Sequence, residues 1–487
     1  MGEHANEGPG TRVRVLVVVM ALVGLFACSG GASSERPPNV VFLMLDTVRA
    51  DRLTPYGYEH DTTPHLAALA ERGALFERAQ ASAPWTVPSI ASIFTGLPPT
   101  VHRAGIEGDG PRRFHPEDAF YGFDDKLPTL ISQMRGAKLQ TAAFIANPLV
   151  GIDCFSNDFA QLHVERAKAH EVVQWGIERL DELGDGPFFL YLHFMDAHVP
   201  LEPPIEYVRR FAPSSMKDVG DEELAIWSNR ASRWDRFKKV ARIDQTALRG
   251  FLSAKQMVYD AALAYLDDQL GRLFAAMEVL GHTEDTVVVV TADHGEEFWE
   301  HWQQQMDCYD PEARSHVGTA HGHTLFQELL HVPLIVAGPG VEAGHRVRGR
   351  VALADIGPTL LELVGVPGRL GMASSLKACL SGKKPNTKPL FAESIAHGYE
   401  LKSLVSPGGY KLIHAPHPGE KDLLFDLERD PGEQNDLSTT EAKRASAMKS
   451  QLQATLRRLV EMRGERGSAA SEIPRDTLKE LGYAGDE

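Results

Sequence analysis

The stretch NVVFLML, Asn39 to Leu45, is a continuous apolar run of strand length, and it stops at an acid, Asp46. A strand without polar alternation is covered on both faces, which is the pattern of a parallel sheet sandwiched between helices. An acid directly after such a strand lies at the carboxyl edge of the sheet, where open α/β folds hold their ligands. Taken alone, Asp46 could equally cap the following turn. A second segment, TVVVVTADHGEEFWEH, repeats the arrangement. A strand at Thr286–Thr291 runs straight into Asp293 and His294, with Gly295 where the backbone must turn. Two carboxylates and an imidazole at one sheet edge either repel one another or share a cation, and a divalent metal resolves the conflict.

The chain can carry such an architecture. At 487 residues, 43% of them hydrophobic, it can bury one large core or two smaller ones. Its net charge of -16 offers no basic stripe for a phosphate backbone, which argues against a nucleic-acid partner.

At the N-terminus, Arg12 and Arg14 precede an apolar run from Val15 to Ala27 that is too short to span a bilayer and fits the hydrophobic region of a signal peptide over residues 1–27. The run ends LFAC, similar to a bacterial lipobox, with Cys28 as the lipidated residue and residues 28–38 as anchor and tether. Phe26 is unusual at its position, and plain secretion into the periplasm or beyond is the alternative. Either way the mature chain works in the cell envelope or outside it. The remaining cysteines, Cys154, Cys308 and Cys379, allow one disulfide at most.

Three further segments supply chemistry. ASAPWTVPSIASIFTG, Ala81 to Gly96, reads as a turn leading into an apolar helix, with Thr86 or Ser89 predicted to cap it and Pro88 in the first turn. The free N–H groups there suit a tetrahedral anion, and a metal beside the Thr86 hydroxyl would make it a nucleophile. FFLYLHFMDAHVPLEPP continues a strand, Phe188–Phe194, into Asp196 and His198. His193, inside the strand, reads as an interior histidine, and His198, beyond its end, as the residue available for chemistry. In TAHGHTLFQELLHVPLIVAGPG, His321 and His323 flank a glycine ahead of another strand.

Taken with PNVVFLMLDTVRADRLTPYGY, TTPHLAALAERGALFERAQA, ALADIGPTLLELVGVP and the late GYKLIHAPHPGEKDLLFDLERDPGEQNDL, these segments resemble, in order, a sulfatase of the alkaline phosphatase superfamily, over roughly residues 39–485. The resemblance implies a large, mostly parallel sheet sandwiched by helices in a catalytic domain at 39–370 and a smaller α+β subdomain at 371–487. Strands are expected near Tyr410–His414 and Leu423–Leu427, and a helix from Glu441 to Met462. It implies Asp46, Asp293 and His294 as metal ligands with Thr86 as nucleophile and further ligand. His198, His321 and His323 fall where the family contacts substrate, His198 also with a catalytic part. Tyr259, Asp260, Asp267 and Asp355 read as structural.

The sequence also departs from that family. A sulfatase oxidises a cysteine or serine to formylglycine, and the motif here reads Thr86, Val87, Pro88, Ser89, Ile90. Threonine cannot give that aldehyde, and Ile90 stands where an arginine is expected. Superfamily relatives that use an unmodified threonine act on phosphorus. The expected function is therefore a metal-dependent hydrolase of anionic esters, phosphodiester or phosphomonoester, or a phospho-group transferase. Two alternatives stand beside it: a sulfuric ester hydrolase working without formylglycine, and a non-catalytic lipid-anchored binding protein. One divalent ion is expected. The imidazole of His294, and Thr47 in place of a second aspartate, favour Zn or Mn over Ca or Mg. Asp196 and His198 with His321 or His323 form a conceivable second set, disfavoured by the short Asp-Ala-His spacing. The substrate is expected to be a small-molecule or glycan- or lipid-linked sulfate or phosphate ester, its pocket shaped by the insertions at 106–126 and 205–255.

Overall fold

Three buried parallel strands set the plan of the molecule. A computed structural model describes residues 36–106, 120–151, 158–184, 186–232, 245–310, 317–385, 387–463 and 466–469. The large sheet contains β1 (Asn39–Leu45), β2 (Gly73–Gln80), β3 (Gln140–Ile145), β4 (Gln161–Val164), β5 (Phe188–Phe194), β6 (Thr286–Thr291), β7 (His331–Val332), β8 (Leu334–Ala337) and β9 (His345–Ala352). Its path runs β7, β2, β8, β6, β1, β5, β3, β4, with β9 on the other side of β2. The stretch β6, β1, β5, β3, β4 is parallel throughout, whereas β8 runs antiparallel to both β6 and β2. The mostly parallel sheet expected from the sequence is therefore present.

Every residue of β1, β5 and β6 is buried, His193 of β5 included, as their predominantly apolar sequences require. Helix α1 (Thr86–Thr95), buried along its whole length, packs on this sheet through Phe94, whose ring meets Tyr191 edge-on at 5.3 Å and Phe42 at 6.1 Å. Each such ring or aliphatic side chain removed from water contributes roughly 1.5–3 kcal/mol. Helix α2 (Ala169–Leu183) packs against β5, and the long α3 (Gln245–Val279) lies against α2. Asp267 on α3 accepts from the amides of His65 and Leu66, which open a short helix at Pro64–Glu71. Asp260 takes bonds from Tyr58 and faces His60.

A four-stranded antiparallel sheet follows: β10 (Leu390–Glu393), β11 (Lys402–Val405), β12 (Tyr410–His414) and β13 (Leu423–Asp426). Helix α4 (Ala442–Glu461) covers it, burying Met448 and Leu452 against Leu404, Leu412 and Leu424. The sequence reading places β12, β13 and α4 and omits β10 and β11, which are only four residues long and lack a distinctive period. This sheet is joined to the region of α1. Glu393 accepts from Thr100 through both carboxylate oxygens and is paired with Lys402, and Trp85 donates to the Ser394 carbonyl at 2.7 Å. Asp355 accepts from the Ser374 amide and from Lys388, a packing role. The N-terminal residues 1–35, with Cys28, lie outside the described residues, as do Cys154, most of the 106–126 insertion and part of the 205–255 insertion. Cys308 and Cys379 are both free thiols.

Candidate metal centre

Strand register assembles the site. Met44 of β1 is opposite both His193 of β5 and Thr291 of β6, and His193 is opposite Ile145 of β3. Side chains two residues apart share a face. Asp46, Asp293 and Asn147, each two residues past a registered position, therefore emerge on the same face of the carboxyl edge as His193. Asp46 extends β1 by one more ladder bond, its amide donating to the Phe194 carbonyl at 2.9 Å.

Each carboxylate has one oxygen occupied and one without a partner. Asp46 Oδ2 accepts from Asn147 Nδ2 at 2.9 Å and faces His193 Nε2 at 3.3 Å, and Asp293 Oδ1 accepts from the His294 amide at 2.9 Å and the Thr47 amide at 3.4 Å. Asp46 Oδ1 and Asp293 Oδ2 are buried without a hydrogen-bond donor. His294 Nδ1 lies 2.9 Å from the Gly295 carbonyl and must carry the proton there, so Nε2 presents its lone pair. That nitrogen is 3.6 Å from Asp46 Oδ1, 3.4 Å from Asp293 Oδ2 and 3.2 Å from Thr86 Oγ1. Asp46, Asp293 and His294 thus offer ligand atoms within 4.8 Å of one another, all buried. Orphaned buried anionic oxygens around an imidazole lone pair are the donor set a divalent cation satisfies.

The electrostatics carry the same tension. Burial and the charge of Asp46 push the Asp293 carboxyl above its ordinary value. Burial acts upward on Asp46 too, but its bond with His193 and the nearby imidazoles of His198 and His294 hold it well below the carboxylate range.

Thr86 is the first residue of α1 and does not cap it. The cap position is Trp85, with no side-chain bond, and the Thr86 hydroxyl turns instead to His294. Ser89 does not cap either: its hydroxyl donates to the Asp293 carbonyl at 2.7 Å, docking the helix mouth on the end of β6. The loop after β1 is itself constrained. Thr47 sits at φ 60°, a costly conformation for a β-branched residue, and Tyr259 holds it, donating to the Thr47 carbonyl at 2.8 Å while accepting from the Arg49 amide. Tyr259, read as structural, is so by propping this loop.

The histidines divide. The His321 ring lies 4.4 Å from that of His294 and 5.0 Å from that of His198, so these three are gathered beside the centre. His321 Nδ1 meets Glu296 Oε2 at 2.9 Å, and Glu296 Oε1 is paired with Lys255 of α3 at 3.2 Å. Burial acts upward on Glu296, but Lys255 and His321 hold it down to about 2; burial and the neighbouring His294 and His198 bring His321 to about 4. His323 is engaged elsewhere, its Nε2 2.6 Å from Glu297 Oε2 in a group that includes Gln305. Asp196 is also directed away: its Oδ1 accepts from the Ala169 amide at the start of α2. Among the described residues, no ligand cluster combines Asp196 with His198, His321 or His323.

His193, read from the sequence as an interior histidine, is buried as expected but bonds Asp46, whereas Asn147, also bonded to Asp46, and the Lys255–Glu296 pair do not figure in the sequence reading. The available signal for the first two was a polar residue in, or just past, an otherwise apolar strand.

Known proteins share this architecture. The Sulfatase family model matches residues 38–366. An arylsulfatase of Clostridium perfringens is 24% identical over 465 residues, covering 83% of this chain and 91% of that protein. Arylsulfatase K of Bos taurus is 26% identical over 482 residues, covering 86% and 83%. Among solved structures, one determined with its substrate D-glucosamine-2-N,6-O-disulfate superposes with TM-score 0.68 at 18% identity, covering 88% of this chain and 98% of that one. The phosphonate monoester hydrolase of Silicibacter pomeroyi superposes with TM-score 0.64 at 19% identity, covering 87% and 93%. At such identities the solved structures speak to the fold.

Proposed function

This chain belongs to the sulfatase family of the alkaline phosphatase superfamily and is an ester hydrolase, and we propose that it cleaves phosphorus esters through Thr86. The observation that carries this reading is the Thr86 hydroxyl, unmodifiable to formylglycine, 3.2 Å from the lone-pair nitrogen of His294. Asp46, Asp293, His294 and Thr86 would hold the ion, with Zn or Mn preferred. A divalent ion bound there lowers the pKa of the Thr86 hydroxyl and offsets the charge of the transferred group. Thr86 Oγ1 attacks phosphorus, the Oγ1–P bond forming as the ester P–O bond breaks. The hydroxyl proton ends on the departing alcohol, passed by His198 or His321. Water then attacks phosphothreonine, breaking the Oγ1–P bond and restoring the hydroxyl, and an alcohol in place of water would give a transferase.

The substrate class is an anionic phosphate or phosphonate ester. The fold is shared with phosphonate monoester hydrolases and so is compatible with phosphorus, and the arylsulfatase relatives support the competing sulfate reading. Assay of the purified protein against aryl sulfate, aryl phosphate, aryl phosphonate and bis-aryl phosphodiester, each with Zn, Mn, Mg or Ca, separates them. Turnover of the phosphorus esters supports the proposal; turnover of the sulfate alone overturns it; no turnover together with no bound metal favours a binding protein. We further propose anchoring at the cell envelope by lipid on Cys28. Among the described residues no helix is long and apolar enough to cross a membrane. Release of Cys28→Ser from the membrane fraction tests the anchor, and a fully soluble wild type refutes it.

A further inference from the structure

The pairing of the two carboxylates with their neighbours has a bearing on which ion the centre accepts. Asp46 Oδ2 is engaged by the amide of Asn147 at 2.9 Å and by His193 Nε2 at 3.3 Å, and Asp293 Oδ1 by two backbone amides. In each case the other oxygen, Asp46 Oδ1 or Asp293 Oδ2, is the buried one with no donor. We infer that Asn147 and His193 are selectivity-determining positioning residues: by occupying Asp46 Oδ2 they make Asp46 a one-oxygen donor and set the centre against Ca2+ in favour of a smaller transition ion.

The chemistry follows from donor counting. Asp46 Oδ1, Asp293 Oδ2, His294 Nε2 and Thr86 Oγ1 supply one donor each. Ca2+ takes six to eight oxygens and commonly draws both from a carboxylate, whereas Zn2+ and Mn2+ accept a short mixed set with imidazole. Both clamping side chains are fully buried, so water does not compete for Asp46 Oδ2. His193 donates through Nε2, since its Nδ1 has no hydrogen-bond partner. Partners of ligating carboxylates typically change metal affinity 10–100-fold when removed. The clamp on Asp293 is backbone and cannot be removed by substitution, so the variable part of the selectivity rests on Asn147 and His193.

The inference rests on the metal centre of the proposed function but not on its phosphorus preference, and metal binding by the metal-stripped full-length protein tests it without turnover. Calorimetric titration of the wild type with Mn2+, Zn2+ and Ca2+ is expected to give at least roughly 100-fold weaker binding of Ca2+. Asn147→Ala and His193→Phe are each expected to narrow that ratio about tenfold or more, while His193→Gln, which keeps an N–H donor at the same reach, retains it. Melting temperatures of the metal-free variants establish that each is folded. Ratios unchanged in folded Asn147→Ala and His193→Phe overturn the inference, as does a wild type that prefers Ca2+ or binds no divalent ion. Aryl phosphate and aryl sulfate turnover, measured on the same wild-type preparation, reports separately on the phosphorus reading.

Discussion

Thr86 Oγ1 lies 3.2 Å from His294 Nε2, while the other nitrogen of that ring is bound to the carbonyl of Gly295. The relationship fixes the tautomer and aims a lone pair at the hydroxyl of the first residue of α1. Because Thr86 is buried and opens a helix docked by Ser89 on the end of β6, its hydroxyl is held in place before substrate arrives.

Removing that hydroxyl separates catalysis from metal binding. Thr86→Ala is expected to lower turnover by roughly 10³-fold or more, yet to keep part of the metal, because Asp46, Asp293 and His294 remain. Thr86→Ser, which keeps the oxygen and loses the methyl, is expected to stay within about tenfold to a hundredfold of wild type. Steady-state kinetics with metal analysis of each protein checks both. Wild-type turnover in Thr86→Ala removes the residue from the mechanism.

Chelation should destabilise the fold as well as silence the enzyme. Stripping the ion leaves Asp46 and Asp293 facing one another with two orphan oxygens. Restoring an ion at a hundred times its Kd stabilises the folded state by about 2.7 kcal/mol. Thermal melts of stripped and reloaded protein read this directly, and an unchanged melting temperature contradicts it.

Glu296→Gln should act through His321. The substitution removes the charge that pairs with Lys255 and weakens the hold on His321 Nδ1. Loss of such a partner typically costs 10–100-fold, and it is expected in kcat more than in KM. Combined with His321→Ala it should add little, since both changes disable one unit. Additive losses in the double variant would show that Glu296 acts independently of His321.

The turn after Asp293 tolerates no side chain. A Cβ on Gly295 would stand 2.0 Å from the Glu328 carbonyl oxygen. Gly295→Ala must therefore shift the backbone that carries His294, and both metal affinity and melting temperature should fall. Normal metal binding in that variant would mean the loop can move without consequence.

Alkaline pH should weaken a joint on the C-terminal side. Burial works against charging His301, but Glu328, 2.6 Å from its Nδ1, with Glu433 and Glu297, raises it to about 9. A raised folded-state value means the stabilisation is complete below about pH 6.5 and is lost as pH rises through about 9. Its upper limit is on the order of 3 kcal/mol. Melting temperature against pH should fall across that window in wild type and flatten in His301→Gln.

The strands that frame the centre were legible because β1, β5 and β6 are predominantly apolar runs, broken in β5 by His193, that lead within two residues into Asp46, Asp196 and Asp293. Other parts were not, for physical reasons. The bond between Thr86 and His294 joins residues 208 apart in sequence, and local propensity pointed to a cap that tertiary docking overrides. His193 looks like any interior histidine until the register of β5 with β1 sets it beside Asp46. Asn147 depends on β3 and β5 in the same way. His321 and His323 flank one glycine in sequence, yet the ring of the first lies against His294 and the second bonds Glu297.

In the proposed mechanism Thr86 carries the transferred group. Acid quenching during turnover of an aryl phosphate or bis-aryl phosphodiester, followed by mass spectrometry of the peptide holding Thr86, tests it most directly. A phosphoryl group is expected on Thr86 in wild type, and none at that position in Thr86→Ala. Turnover of these esters with Thr86 unmodified at every quench time, or with the phosphoryl group on another residue, would contradict it.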